Sequence, residues 1–191
     1  MSKSALALLL LITALPVSTV SADTITYTGT TTGGPTWNRP VANGGSAPVS
    51  LSGLATAVPY SVQSFTVSMA GLYSLQSTAV PSSGWDNYTF LYLNGFNPAS
   101  PLTNILIGND DNLTIGLSGF SLNLLAGTTY FFVTTGVTNG SFGSFSNTFS
   151  GPGTITLNGP SVPESGPGMI AFGLILSCLG VARLRFFPVA A

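Results

Sequence analysis

The chain has 191 residues, 45% of them hydrophobic and only 5% charged, with a formal net charge of −1. That balance excludes a disordered chain, which combines low hydrophobicity with high charge, and a stock of four basic residues excludes a nucleic-acid partner. The absence of histidine removes the usual general base near neutral pH, the Ser-His-Asp and Cys-His triads, and most catalytic zinc sites.

The first element is a targeting segment. Lys3 supplies a positive start, Ala5 to Leu15 an apolar core, and Pro16 breaks the helix before a small-residue stretch. Val20 and Ala22 occupy the −3 and −1 positions of a signal-peptidase site, with cleavage expected between Ala22 and Asp23. The apolar core is shorter than the ~20 residues of a comfortable membrane span. Residues 1–22 therefore read as a signal peptide and the chain as exported.

Residues 23–159 carry glycine and proline punctuation and short alternating runs. "TITYTGT" sets Ile25, Tyr27 and Gly29 against threonines, and "PTWNRPVANGGSAP" reads as a loop with Trp37 plugging one end of a core. "YSVQSFTVSM" places Phe65, Val67 and Met69 on one face, and Ala70-Gly71 is expected to turn it into a hairpin with "LYSLQSTAV". "DNYTFLYLNG" and "TTYFFVTTGV" are apolar on both faces and read as central strands. "PLTNILIG", "LTIGLSGFSLNL", "SFGSFSNTFS" and "GTITLN" complete the set. The fold class is all-β, an antiparallel two-sheet β-sandwich of jelly-roll type with Ser/Thr faces in water. Its aromatic core includes Phe65, Phe90, Phe131, Phe132 and Phe149.

The chemistry available to this body is sparse. Asp86, Asn87, Asn109, Asp110 and Asp111 offer oxygens for a calcium site, although the spacing of an EF-hand loop is absent. The simpler reading of "GNDDN" is a turn, since Asn and Asp cap their own backbone. Asp86 with Asp110 or Asp111 could satisfy the carboxylate spacing of glycoside hydrolysis, but nothing in the sequence suggests the aromatic-lined, charged cleft such enzymes use. Trp37, Trp85, Tyr60 and Tyr73 are either core residues or sugar-stacking platforms. Asn87-Tyr-Thr, Asn112-Leu-Thr and Asn139-Gly-Ser fit the glycosylation pattern by chance in a Ser/Thr-rich chain. No cofactor is expected unless calcium binds.

After a linker over residues 160–167, Gly168 to Ala182 is continuously apolar or small, followed by Arg183 and Arg185. Residues 168–186 read as a short transmembrane helix and 187–191 as a tail, with the arginines on the cytoplasmic side and the body outside. Cys178 lies within this stretch, as a small hydrophobe or an S-acylation site.

The order Val162-Pro163-Glu164, small-residue spacer, apolar helix and arginines resembles the PEP-CTERM sorting signal of Gram-negative bacteria. Ser165 and Gly166 bring it closest to the Val-Pro-Asp-Ser-Gly variant of such tails. The resemblance implies that Val162, Pro163, Glu164, Arg183 and Arg185 are recognised by a membrane-embedded exosortase. It further implies cleavage near the box and delivery to the cell surface or exopolysaccharide. A plain C-terminal anchor is the alternative. "WDNYTFLYLNGFNPASPLTNILIGNDDN" resembles bacterial pre-peptidase C-terminal domains, matching at Asp86, Thr89 to Leu93, Asn109-Asp110-Asp111 and Ala126 to Val133. That resemblance implies a β-sandwich without catalytic activity. Together these readings describe a surface or matrix protein in contact with exopolysaccharide, or alternatively a calcium-stabilised carbohydrate-binding module.

Overall fold

The computed structural model describes residues 22–159 apart from 43, 82 and 83. Over that span the alternating sequence folds into β-strands, with no helix among the described residues. The strands are β1 (Ala22–Thr30), β2 (Thr36–Trp37), β3 (Val58–Val67), β4 (Gly71–Val80), β5 (Asn87–Leu93), β6 (Ile105–Asn109), β7 (Leu117–Leu124), β8 (Tyr130–Gly136), β9 (Ser144–Pro152) and β10 (Ile155–Leu157). A four-stranded sheet has the order β1-β9-β4-β7. A six-stranded sheet has the order β10-β3-β8-β5-β6, with β2 paired to β3. Every strand pairing is antiparallel. Residues 1–21 of the expected signal peptide, the Val162-Pro163-Glu164 box, Cys178, the expected tail helix, Arg183 and Arg185 lie outside the described residues.

The main core fills the gap between the sheets. Phe65, Val67, Leu91 and Phe132 point into it from one sheet, and Tyr73, Leu75, Phe120 and Phe149 from the other. A second core lies on the opposite face of the six-stranded sheet, where Trp37 and Ala55 pack over Tyr60, Tyr88, Phe90, Tyr92 and Val133. The segment between β2 and β3 is thus a cover. It explains why β5 is apolar on both faces: Phe90 faces the cover and Leu91 faces the other sheet. The cover's polar backbone is tied down as buried loops require. The indole Nε1 of Trp37 donates to Thr135 Oγ1 at 3.1 Å, and the Tyr88 hydroxyl bonds both backbone groups of Ala42.

Three expectations are corrected. The β3–β4 connection is not a hairpin, because β3 belongs to the six-stranded sheet and β4 to the four-stranded one. Alternation marks a face as apolar, but two strands that share a core satisfy it equally side by side or across the gap. Met69, expected beside Phe65 and Val67, lies beyond the end of β3 and is exposed. The predicted loop around Trp37 contains β2, and Trp37 plugs the second core.

The expected Ser/Thr faces in water are also corrected in part, since Ser77, Thr89, Ser118, Thr134, Thr135 and Asn147 are buried. Tyr27, Asn147, Ser77 and Ser118 stand in one register row across the four-stranded sheet, and Thr89 and Thr134 are register partners on the facing sheet. Asn147 Nδ2 donates to the Tyr27 hydroxyl and to Thr134 Oγ1, both at 2.9 Å. Asn87 Nδ2 donates to Ser77 Oγ at 3.0 Å, while the Thr89 and Ser118 hydroxyls share a bond of 2.8 Å. This polar belt separates the main core from a small cluster of Ala79, Trp85 and Phe145. A one-residue slip of either sheet would turn these groups away from their partners, so the belt fixes alignment where apolar packing alone tolerates sliding.

Candidate functional site

The register of β5 on β6 builds the site. Thr89 is opposite Asn109, so Asp86, just before β5, and Asp110 and Asp111, just after β6, arrive at the same end of the sheet. One carboxylate oxygen from each of Asp86, Asp110 and Asp111 lies within 4.8 Å of the other two. Oδ1 of Asp86 and Oδ1 of Asp110 are shut off from solvent without a hydrogen-bond partner among the described residues. Buried acceptors without a donor are uncommon in native folds, and a cation, a water or a shared proton can each supply the missing partner.

Asn109, also expected of the cation site, is the last residue of β6. Its Nδ2 donates to the Gly119 carbonyl at 2.8 Å and to the Asp111 carbonyl at 3.3 Å. Its backbone carbonyl accepts from Ser118 Oγ at 2.8 Å. A Cβ on Gly44 would come within 2.8 Å of Asn109 Oδ1, and Gly44 adopts a φ of 79°, so glycine is required there on both counts. Asn112 Nδ2 reaches Gln76 Oε1 on β4. The acidic loop is thereby fastened to the four-stranded sheet.

Arg39 is the one functional residue that the motif reading passed over. It is 4% exposed. Nε donates to the Gly136 carbonyl at 3.0 Å, Nη1 to Pro40 at 2.8 Å and Nη2 to Val137 at 2.6 Å. Its guanidinium carbon sits 3.9 Å from the centroid of the Tyr88 ring. The Val137 amide in turn donates to the Asp86 carbonyl at 3.1 Å, so the arginine clamp also fixes Asp86. The available signal was arithmetic: Arg39 is the sole basic residue between the terminal segments, in a body with four carboxylates.

Electrostatics follow from this crowding. Burial, then Asp86 and Asp111, push the Asp110 carboxyl up to about 6, with Arg39 opposing. Asp86 is also raised, by burial and then by Asp111, again opposed by Arg39. Burial lowers the Arg39 pKa from its ordinary value, while Tyr88, Asp110 and Asp86 hold it up. A divalent cation would relieve the repulsion and satisfy the orphaned oxygens together. The donors are all hard oxygen, which suits calcium and not zinc or copper.

The other predicted site residues separate from this cluster. Ala22 and Asp23 open β1, with Asp23 Oδ2 accepting from the Ile155 amide at 2.8 Å. Trp37 is 3% exposed and Trp85 9%, and Tyr60 and Tyr73 are buried too. None offers a free ring face to a sugar, which fits the core reading of these four residues better than the stacking one. Trp85 instead donates to the Ser144 carbonyl at 2.9 Å. No known family model matches the chain, and no curated protein matches its sequence.

Proposed function

We propose that this chain is an exported, non-catalytic surface or matrix module whose β-sandwich is stabilised by calcium. The strand order, β1-β9-β4-β7 against β3-β8-β5-β6, supports the winding of a jelly roll. The observation that carries the calcium reading is the convergence of Asp86, Asp110 and Asp111 around two buried, unpartnered oxygens. A hydrolase using Asp86 and Asp110 needs room for a sugar between two accessible carboxylates. Here Oδ1 of Asp86 and Oδ1 of Asp110 are both shut off from solvent. Contact with exopolysaccharide, if made by this body, runs through its neutral Ser, Thr and Asn surface or through bound calcium, because the large aromatic rings are interior.

Delivery is supported by the sequence at the two ends. A signal peptidase removes residues 1–22, the tail enters the membrane, and an exosortase-type enzyme acts at Pro163-Glu164. Mass spectrometry of the mature protein is expected to find no peptide beyond about Pro163. Intact Arg183 on most molecules would contradict sorting.

Calcium binding is tested by thermal unfolding. Extracellular modules bind calcium with Kd of roughly 10⁻⁴ to 10⁻³ M, so 10 mM calcium should stabilise by about 2 kcal/mol and raise Tm by several degrees. Chelator should reverse the shift, and Asp110→Asn should abolish it. No shift in the parent chain removes the calcium reading.

The metal-free protein should also lose stability as pH rises. An Asp110 carboxyl raised from 3.8 to about 6 gives the folded state more bound protons than the unfolded one in that window. Its contribution is therefore greatest below pH 4 and falls as pH climbs through 6. Solvent screening of this half-exposed group limits the fall to about 1–2 kcal/mol. Denaturation midpoints at pH 5 and 7 in chelator check it, and Asp110→Asn should flatten the difference.

A further inference from the structure

Apart from the short β2, the edges of the two sheets are β1, β7, β10 and β6, and three of these four are closed or brief. β6 is five residues long, its pairing with β5 shifts register between Leu91 and Tyr92, and the Gly44 amide takes its Gly108 carbonyl at 2.9 Å. On β7 the Leu117 amide donates to the Thr114 carbonyl at 3.1 Å, and the Leu117 carbonyl accepts from the Asn112 amide at 2.6 Å. The Gly119 carbonyl is taken by Asn109 Nδ2. β10 has three residues. β1 is different: it has nine residues, pairs with β9 without a register break, and has no strand of its sheet on the other side.

The pairing shows which backbone groups of β1 are free. The Thr31 amide donates to the Gly143 carbonyl at 3.0 Å, one step beyond the Thr30–Ser144 pair. Alternate residues of an antiparallel strand bond the same neighbour, so the odd-numbered residues of β1 bond β9. The N–H and C=O of Thr24, Thr26 and Thr28 therefore point away from the sheet, and no group among the described residues bonds them. Natural sheets guard such edges with Lys, Pro, a bulge or a short strand. The stretch from Thr24 to Thr30 has none of these, and the one charge on β1, Asp23, is turned aside to the Ile155 amide. An open edge of this kind is completed by an added strand.

The residues of β1 suit a second β1. Thr24, Thr26, Thr28 and Thr30 are exposed on the outer face, while Ile25 and Tyr27 are half-buried on the inner one. A second copy laid antiparallel about a two-fold axis through Thr26 pairs Thr24 with Thr28, Thr26 with Thr26, and Thr28 with Thr24. All three are hydrogen-bonding positions, each exchanging both of its N–H···O bonds. Threonine meets threonine across the outer face, extending the row in which the Thr26 and Thr148 hydroxyls already share a bond of 2.9 Å. The intervening, closer positions pair Ile25 with Tyr27 of the second copy, so two residues at the rim of the main core cover each other. Asp23 falls opposite Gly29, which keeps the two Asp23 carboxylates about 20 Å apart.

We propose that β1 is a homodimerisation edge: two copies of this chain join through antiparallel β1 strands centred on Thr26 and share one continuous sheet. The contact is isologous and closes on itself, and the capped β7 edge stops the sheet from running on into a fibre. It is smaller than a standard interface, so the dimer is expected to be concentration-dependent. It depends on neither the cation nor the tail.

The test is sedimentation velocity of the full chain in detergent micelles, in chelator and at low salt, over a concentration series. The parent should pass from monomer to dimer. Thr26→Lys and Thr26→Glu each set like charges face to face across the axis, so each alone should weaken the dimer by at least about tenfold. An equimolar mixture of the two should recover it. Thr26→Pro removes an N–H that β9 does not use, so this variant should keep a cooperative thermal transition near that of the parent and lose the dimer. In a Cys178→Ser background, Thr26→Cys should link to itself through a short bismaleimide. Thr30→Cys, about 27 Å from its counterpart, should not. A parent that stays monomeric to its solubility limit, a dimer that both charge variants leave intact, or a mixture no better than its components overturns the proposal. So does growth into larger species, which would mean that β1 pairs with a different edge, and so does self-linking of Thr30→Cys in preference to Thr26→Cys.

Discussion

Arg39→Met should lower unfolding free energy by about 3–5 kcal/mol, read as a drop in urea midpoint at constant m-value. The substitution keeps most of the apolar stem against Tyr88 but strands the carbonyls of Gly136, Pro40 and Val137 in a region where Arg39 itself is nearly inaccessible. Each buried acceptor left without a donor costs about 1–3 kcal/mol. The loss of the positive charge adds to this, because Asp86 and Asp110 then face each other and Asp111 without opposition. Arg39→Lys separates charge from geometry. An ammonium retains the charge but cannot reproduce the planar fork that reaches three carbonyls, so it should recover less than half of the loss. Calcium should rescue either variant only weakly, since the Val137 amide that holds Asp86 is positioned by the same clamp. A drop below about 1 kcal/mol for Arg39→Met would mean that water replaces the guanidinium, and that the site is more open than its burial implies.

What the sequence discloses and withholds has a physical pattern. The strands are legible because period-two alternation and turn residues are local properties, and β5 and β8 are legible as two-faced because both of their surfaces are covered. Pairing is not local. β3 and β4 each show one apolar face, and nothing within either strand tells a neighbour in the same sheet from one across the core. The carboxylate cluster could be anticipated because Asp86 and Asp110-Asp111 flank two strands short enough to pair, but its roof could not. Arg39 is carried in by a cover segment whose composition, rich in Gly, Ala, Pro and Ser, reads as an ordinary loop. Trp37 and Trp85 left two readings open for a related reason: an aromatic ring in a loop can be a plug or a platform, and only the fold decides. The polar belt was the least legible element. Serine, threonine and asparagine on the polar side of an alternating strand have the same pattern whether that side meets water or another polar row.

Asn147→Leu should lower stability by about 2–3 kcal/mol, even though the new side chain has the same branched heavy-atom skeleton and is apolar. The cost arises because the Tyr27 hydroxyl and Thr134 Oγ1 lose their shared donor in the middle of the sandwich. Burial already pushes the Tyr27 phenol far above its ordinary pKa, with the Asn147 bond opposing, which places that hydroxyl in a poorly solvated position. The Oδ1 of Asn147 has no partner among the described residues, so removing it offsets part of the cost. The informative comparison is the triple variant Tyr27→Phe, Thr134→Val, Asn147→Leu. Replacing every member of a hydrogen-bonded set by apolar groups of similar shape can be nearly neutral, unlike removal of one member. The triple variant should therefore return to within about 1 kcal/mol of the parent in urea denaturation. If the belt aligns the two sheets, the same variant should also show broadened or doubled backbone amide resonances in β1 and β9, whose share of the register row it removes. A triple variant as unstable as the single one would show that the belt contributes bonding energy, and sharp, single resonances would show that apolar packing by Phe149 and Phe132 is sufficient to hold the alignment.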